Sequence, residues 1–165
     1  MSKLLRFHRE NDYCFVTSAT YKRQDYLKDN YPLLSKSINK YSLRLNFSLI
    51  AFVILNDHFH ALFDCKENNL SDIMKRIKLS FSKSYRNLLK CNSGFIWQHR
   101  YYDHIIRDQN DMNRHIDYIH YNPVKHGYVK SPFNWEYSSI HEFMDYYPED
   151  WGLQNYKDRD MNFGE

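Results

Sequence analysis

The amino-acid sequence predicts an α/β (α+β) fold of the ferredoxin-like type: an antiparallel sheet in the order βαββαβ with helices on one face. Three observations support this prediction. Runs rich in β-branched and aromatic residues alternate with amphipathic runs of helical period. Two of the strand-like runs are separated only by the turn 55–57. The chain has 165 residues, which favours a single domain over 1–165 with a sizeable core.

The first half of the chain contains three predicted strands. The run 12–20 is β-branched and aromatic and predicts the first strand. A helix is expected over 32–42, where Pro32 suits the first helical position. The apolar run 45–54 and the run 58–64 flank the turn, and they predict a β-hairpin.

The second half adds two helices and a strand. Apolar residues at helical spacing predict a helix over 70–90, and a short strand follows over 100–107. Asp108 is a good N-cap for a further helix that is expected to run to about Tyr121, because Pro123 should end it. The core is predicted over about 12–130, and the aromatic and acidic tail over about 131–165 is expected to pack on it.

The charge of the chain is unevenly distributed. The net charge is +3, but residues 142–165 contain seven acidic and two basic residues, a net charge of −5, so the remainder carries +8. A basic body with interleaved aromatic residues suits a polyanion, although a solvated charged surface would have the same composition. We expect no membrane span and no secretory signal, and three scattered cysteines fit reduced thiols in the cytoplasm.

The first candidate site is the pair His58 and His60 on the second strand of the hairpin. Residues two apart on a strand point to the same face, so both imidazoles project together. Two neutral imidazoles on a rigid surface form half of a divalent-metal site. As an isolated pattern, such a pair also arises by chance in a chain with nine histidines.

The second candidate site lies near the end of the predicted tyrosine helix. Tyr118 and Asn122 are four residues apart and therefore share a helix face. If the Asn122 amide binds a metal, the metal lies beside the Tyr118 phenol. A metal-bound phosphate next to a tyrosine hydroxyl suits nucleophilic phosphoryl transfer. By spacing alone, Tyr121 is an equally available nucleophile.

The third candidate feature is the strongly basic helix 70–90, which together with two cations further along the chain predicts a surface for the phosphates of a nucleic acid. An amphipathic helix with a solvated basic side is the alternative interpretation. The predicted DNA-binding residues are Lys75, Arg76, Lys78, Lys83, Arg86, Arg100 and Lys125.

Several segments of the sequence resemble one family. VILNDHFHALF (53–63) resembles the histidine-hydrophobic-histidine strand of the HUH-superfamily single-tyrosine transposases of insertion sequences. IWQHRYYDHIIRDQNDMNRHIDYIHYNPVKHGYV (96–129) is similar to the long central signature of the REP-associated tyrosine transposases. IKLSFSKSY (77–85) and NWEYSSIHEFMDYYPEDWG (134–152) resemble the flanking blocks of that branch.

The resemblance implies a mechanism and a set of site residues. It implies a divalent metal, Mg²⁺ or Mn²⁺, held by His58, His60 and Asn122, with Tyr118 as the nucleophile. Asn122 stands where glutamine is usual in the wider group. The implied enzyme cleaves and rejoins single-stranded DNA through a 5′-phosphotyrosine intermediate, with a DNA hairpin as the expected partner. Asn56 and Asp57 replace a Met-Pro pair of many relatives and are expected to change the turn rather than the ligands.

Two other functions remain open. The same fold could serve as a catalytically silent protein that binds DNA hairpins, or as a metallohydrolase that uses His58, His60 and water. Members of the wider family form dimers that exchange the tyrosine helix, whereas members of the REP-associated branch are expected to be monomers. The sequence does not decide between a monomer and a homodimer. A cytoplasmic location is expected.

Overall fold

The computed structural model describes residues 12–153 and residue 163. Seven regular elements and three 3₁₀ segments lie within the described residues, in an order that matches the predicted βαββαβ core and its following helix. The strands and helices are β1 Tyr13–Ala19, α1 Tyr31–Leu45, β2 Ser48–Ile54, β3 His58–Asp64, α2 Leu70–Leu89, β4 Tyr102–Ile105 and α3 Gln109–Lys125. The 3₁₀ segments are Tyr21–Arg23, Pro132–Asn134 and Ser139–Tyr146.

The four strands form one antiparallel sheet in the order β2-β3-β1-β4. This is the ferredoxin-like arrangement that the sequence predicts. Within the β1–β3 ladder, Ala19 faces His58 and Thr17 faces His60. Both histidines and the residues opposite them therefore lie on β3 and β1, the two central strands of the sheet.

The two faces of the sheet are covered by different helices. Helices α1 and α2 pack on the face that carries Cys14, Val16 and Phe59, and they form the larger apolar core with it. Helix α3 covers the opposite face, where its Tyr118 joins an apolar cluster with residues of the strands. The predicted placement of the core helices on one face is confirmed, and the tyrosine helix lies on the other.

The predicted end of the tyrosine helix is wrong, because Pro123 lies inside α3, which continues to Lys125. Proline removes only the hydrogen bond to the Ile119 carbonyl, and its fixed φ is compatible with a helix. The last turn is closed by the His126 N–H, which donates to the Asn122 carbonyl at 3.0 Å. This additional turn returns the chain to the helix face that carries Tyr118.

The tail covers the free edge of β2, in agreement with the predicted packing. The Trp135 indole N–H donates to the Ile54 carbonyl at 2.9 Å, and the Ile54 N–H donates to the Tyr137 carbonyl at 2.9 Å. Covering an edge strand protects it from pairing with another chain. Residues 154–162 and 164–165 of the predicted tail lie outside the described residues. None of the described helices has the length and apolar character needed to span a membrane.

Candidate active site

The two histidines of β3 form the centre of the candidate site. His58 and His60 are buried, with 1% and 0% of their surface exposed, and their ring centroids are 5.0 Å apart. Phe59 between them lies in the core on the other face of the sheet. The strand alternation therefore turns both imidazoles to the same face of the sheet, as the sequence predicts, and the structure shows that α3 covers this face.

Each imidazole is oriented by a neighbouring oxygen. The Thr17 hydroxyl lies 2.8 Å from Nδ1 of His60, and the Asp57 carboxylate lies 2.6 Å from Nδ1 of His58. Burial raises the pKa of Asp57, but the hydrogen bond and charge of His58, together with Arg23, lower it overall. Because both Nδ1 atoms are engaged, Nε2 is the ring nitrogen of each histidine that is placed to bind a metal.

Tyr118 lies directly against the histidine pair. Its ring centroid is 5.1 Å from that of His60, and only 1% of its surface is exposed. Phe163 packs edge-on against the Tyr118 ring with centroids 5.0 Å apart. The Lys125 ammonium lies 3.5 Å from the phenol oxygen and 4.9 Å from the ring centroid. The tyrosine and the histidines come together within a single chain.

Asn122 is placed by its neighbours on α3. Tyr118 lies one turn before it against His60, and His126 lies one turn after it with its ring centroid 5.0 Å from that of His58. Since residues four apart share a helix face, Asn122 lies between these two contacts and faces the histidine pair. Its side chain is completely buried. The fold therefore brings the four predicted residues of the site to one place.

The donor set fits a divalent metal. Two neutral imidazoles and one amide oxygen are ligands that first-row metals accept, and Mn²⁺, Ni²⁺ and Zn²⁺ suit imidazole better than Mg²⁺ does. The carboxylate behind His58 is an outer partner of the kind that metal-binding histidines commonly have. His58, His60 and Asn122 are thus the residues that would hold the ion.

A second group of potential ligands lies beside this site. The ligand atoms of His104, Asp111 and His115 all lie within 4.8 Å of one another, so these side chains could also hold a metal ion. Asp111 already accepts hydrogen bonds from His104 at 2.7 Å and from the Arg107 backbone N–H at 3.0 Å. Burial raises the pKa of Asp111, but these bonds dominate and hold it far below its usual range. Through the contact between His104 and Asp111, this group of side chains connects β4 to the first turn of α3. Tyr118 lies further along the same helix.

Two other residues of α3, His120 and Tyr121, lie outside the site. Both ring nitrogens of His120 are within hydrogen-bond distance of tail hydroxyls, Tyr147 at 3.0 Å and Ser139 at 2.8 Å. Burial and the charge of His141 lower the pKa of His120 to about 3. Tyr121 packs against Trp151, with ring centroids 6.3 Å apart. The geometry therefore separates Tyr118 from the alternative nucleophile Tyr121.

The predicted DNA-binding residues have different surroundings. Lys75, Lys83 and Arg100 are exposed. Arg76 forms an ion pair with Asp72 at 2.8 Å on the same helix, and the Arg86 guanidinium donates to the Gly94 carbonyl at 2.7 Å.

The remaining two predicted DNA-binding residues, Lys78 and Lys125, both lie close to aromatic rings. Lys78 donates to the Gln98 carbonyl at 2.9 Å and lies over two aromatic rings, and Lys125 lies at the phenol of Tyr118. Lys125 thus belongs to the tyrosine site and not to the basic helix.

Sequence reasoning missed three residues of the site. Thr17 is brought to His60 by the register of β1 against β3, which the sequence does not reveal. Asp57 was expected only to shape the turn, yet it contacts His58 directly. His126 continues the four-residue spacing of Tyr118 and Asn122, a signal that the predicted helix end at Pro123 concealed.

Comparisons with known proteins agree with this geometry. The family described as IS200-like transposases matches residues 9–122. A Haemophilus influenzae protein provisionally named a REP-associated tyrosine transposase is 35% identical over 152 residues, covering 85% of this chain and 86% of that protein. The REP-associated tyrosine transposase of Escherichia coli K12 is 31% identical over 156 residues, covering 92% of this chain and 91% of that protein.

A solved structure extends the likeness to the whole fold. The structure of a REP-associated tyrosine transposase bound to a REP hairpin aligns with a TM-score of 0.84 and 31% identity, over 100% of this chain and 98% of that one. The resemblance seen in the sequence is therefore confirmed. The chain belongs to the IS200-like transposase family and, within it, to the REP-associated tyrosine transposases.

Proposed function

We propose that this protein is a metal-dependent, single-tyrosine DNA transposase of the HUH type. In this proposal it cleaves and rejoins single-stranded DNA through a 5′-phosphotyrosine intermediate on Tyr118. The observation that carries the proposal is the contact between Tyr118 and His60, with ring centroids 5.1 Å apart, in a site that also contains His58 and Asn122. A relative solved in complex with a REP hairpin supports a DNA hairpin as the substrate.

The proposed reaction consists of two opposite transesterifications. The Tyr118 oxygen attacks the scissile phosphorus and loses its proton to water, and the bond between that phosphorus and the 3′-oxygen breaks. The phosphate is then joined to Tyr118 through its 5′ side, and the leaving 3′-oxygen takes up a proton from water and is released as a 3′-hydroxyl. The 3′-hydroxyl of a second strand then attacks the phosphotyrosine and restores the phenol. A divalent ion, when bound, supplies positive charge that polarises the scissile phosphate.

The residues around Tyr118 have separate tasks. Asp57 and Thr17 fix the two imidazoles, so that the ligands need not reorganise when they bind. The Lys125 ammonium, 3.5 Å from the phenol oxygen, stabilises the negative charge that develops there during attack. Because the Tyr118 ring is only 1% exposed, DNA can reach the phenol oxygen only after covering side chains move.

Covalent capture of DNA tests this proposal. The protein is incubated with Mn²⁺ and a labelled pool of single-stranded hairpins and is then separated on a denaturing gel. A labelled protein band is expected for the natural protein and for Tyr121→Phe, a matched control that retains the ring. The band should be absent for Tyr118→Phe. A band that persists in Tyr118→Phe would assign the nucleophile to another residue.

A further inference from the structure

A cavity of about 740 Å³ lies between α2 and the segment that leads to β4. It is lined in part by Tyr21, Lys75, Lys78, Phe95, Trp97 and Tyr101, and we call it the aromatic groove. The groove is on the side of the sheet covered by α1 and α2, whereas Tyr118 lies on the side covered by α3. It is therefore separate from the candidate active site.

The groove combines an exposed aromatic ring with a rigid floor. Phe95 is 73% exposed and lies against Tyr21, with ring centroids 5.3 Å apart. Trp97 is 9% exposed, packs on Phe59 and Phe81, and donates its indole N–H to the Lys78 carbonyl at 3.2 Å. A firmly held floor next to an exposed ring provides a surface on which a flat, apolar group can stack.

The charges around the groove select an anionic ligand. Lys75 is exposed, and the Lys78 ammonium lies 5.8 Å from the Trp97 ring centroid and 6.0 Å from that of Tyr101. Helix α2 contains five basic residues and a single acidic one, Asp72, which is paired with Arg76. Aromatic surfaces with cations at their edge match a nucleotide, whose base stacks while its phosphate meets the cations.

The position of the groove connects it to the active site. Ala19 pairs with His58 in the sheet, and two residues later Tyr21 already lines the groove. Between them, the Thr20 N–H donates to the Asp57 carbonyl at 2.8 Å, and Thr20 pairs with Trp97. The groove and the histidine pair therefore lie at the same end of the sheet, on opposite faces.

We propose that the aromatic groove binds an unpaired nucleobase of the DNA strand, stacked on Phe95, with the adjoining phosphates at Lys75 and Lys78. A paired base presents only its edge, whereas an unpaired base exposes the flat face that this groove can hold. The proposal deepens the proposed function and rests on it, since it assigns the groove to the same DNA that is cleaved at Tyr118. Stacking makes the groove tolerant of base identity.

Binding of an oligothymidine of 12 nucleotides, followed by fluorescence anisotropy, tests the groove without knowledge of the natural hairpin. Phe95→Ala should weaken binding by about 5- to 150-fold, the range expected for one base stacked on an aromatic ring. Tyr146→Ala is the matched control, because Tyr146 is an 80% exposed aromatic residue outside the groove. Its affinity should equal that of the natural protein. Phe95→Leu retains an apolar side chain and should also lose affinity.

An abasic 12-mer with the same sugar-phosphate backbone completes a cycle of two proteins and two oligonucleotides, which we call the abasic cycle. The natural protein should bind this oligonucleotide as weakly as Phe95→Ala binds oligothymidine, and Phe95→Ala should show no further loss. Equal affinity of Phe95→Ala and the natural protein for oligothymidine would overturn the proposal. An equal loss toward oligothymidine and a fully paired hairpin would also overturn it, since that result would indicate a contact to the backbone.

The two proposals fail in different ways. If Tyr118 forms no adduct with any DNA but the abasic cycle gives the expected result, the catalytic proposal fails and the groove remains a nucleobase site. If Tyr118 forms adducts and Phe95→Ala binds oligothymidine normally, only the groove is refuted. Thermal melting of Phe95→Ala shows that the variant is folded, as the exposure of Phe95 leads us to expect.

Discussion

Replacing Asp57 with asparagine should weaken metal binding at the histidine pair. The Asp57 carboxylate lies 2.6 Å from Nδ1 of His58 and orients that ring, which leaves Nε2 as the nitrogen placed to bind a metal. Asparagine has nearly the same shape but no charge, and its amide can also present an N–H to the ring. The variant therefore removes the electrostatic support and the unique ring orientation while leaving all three proposed ligands in place.

The size of the effect follows from the outer position of Asp57. Loss of a partner that orients a metal-binding histidine typically costs about 10- to 100-fold in metal affinity, which is about 1.4–2.7 kcal/mol. Removal of His58 itself should cost more, because it deletes one of the three proposed ligands. The side chain of Asp57 is 18% exposed, so solvent screens its charge only partly.

Calorimetric titration of the DNA-free protein with Mn²⁺ measures this effect independently of activity. Asp57→Asn should bind Mn²⁺ about 10- to 100-fold more weakly than the natural protein. Asp72→Asn is the matched control, because Asp72 is a carboxylate on α2 that is paired with Arg76 away from the histidines. Unchanged Mn²⁺ affinity in Asp57→Asn would refute the role assigned to this carboxylate.

Three further predictions concern the nucleophile, the core and the tail. Lys125→Gln removes the charge beside the phenol oxygen of Tyr118. The rate of covalent adduct formation in single-turnover assays should therefore fall by about tenfold or more, and an unchanged rate would disprove this role. Phe81→Ala empties a fully buried position and should cost about 3–5 kcal/mol in urea unfolding, whereas Leu43→Ala, at an 86% exposed position, should cost little. Burial lowers the pKa of His120 to about 3 in the folded protein. As the pH falls, the His120 imidazole is therefore protonated at a higher pH in the unfolded chain than in the folded protein. The contribution of His120 to stability is complete above about pH 6.5 and declines toward pH 3 by at most about 1.4 kcal/mol per pH unit. His120→Gln should reduce this slope in urea unfolding measured from pH 7 to pH 4, and an identical slope would contradict the burial argument.

The order of strands and helices was predictable because each element has a local signature. Alternating and apolar runs identify β1 and the β2–β3 hairpin, and the stripe of apolar residues identifies α2. The direction of His58 and His60 follows from strand alternation alone. Such features depend on neighbours along the chain and on no distant contact.

The parts that were not predictable depend on distant contacts or on the balance of small energies. Thr17 meets His60 only through the β1–β3 register, and local periodicity does not determine that register. Pro123 is tolerated because α3 loses one hydrogen bond near its end and gains packing against the sheet. With the helix ended too early, the approach of Lys125 and His126 to the site could not be foreseen.

The position of the covalent bond between protein and DNA tests the proposed chemistry most directly. Trypsin releases residues 115–125 as one peptide that contains both Tyr118 and Tyr121, so fragment ions in mass spectrometry must separate the two residues. We predict a nucleotide attached through its 5′-phosphate to Tyr118. Attachment to Tyr121, or cleavage of the hairpin without any attached peptide, would contradict the mechanism; the second result would indicate a water-using metallohydrolase.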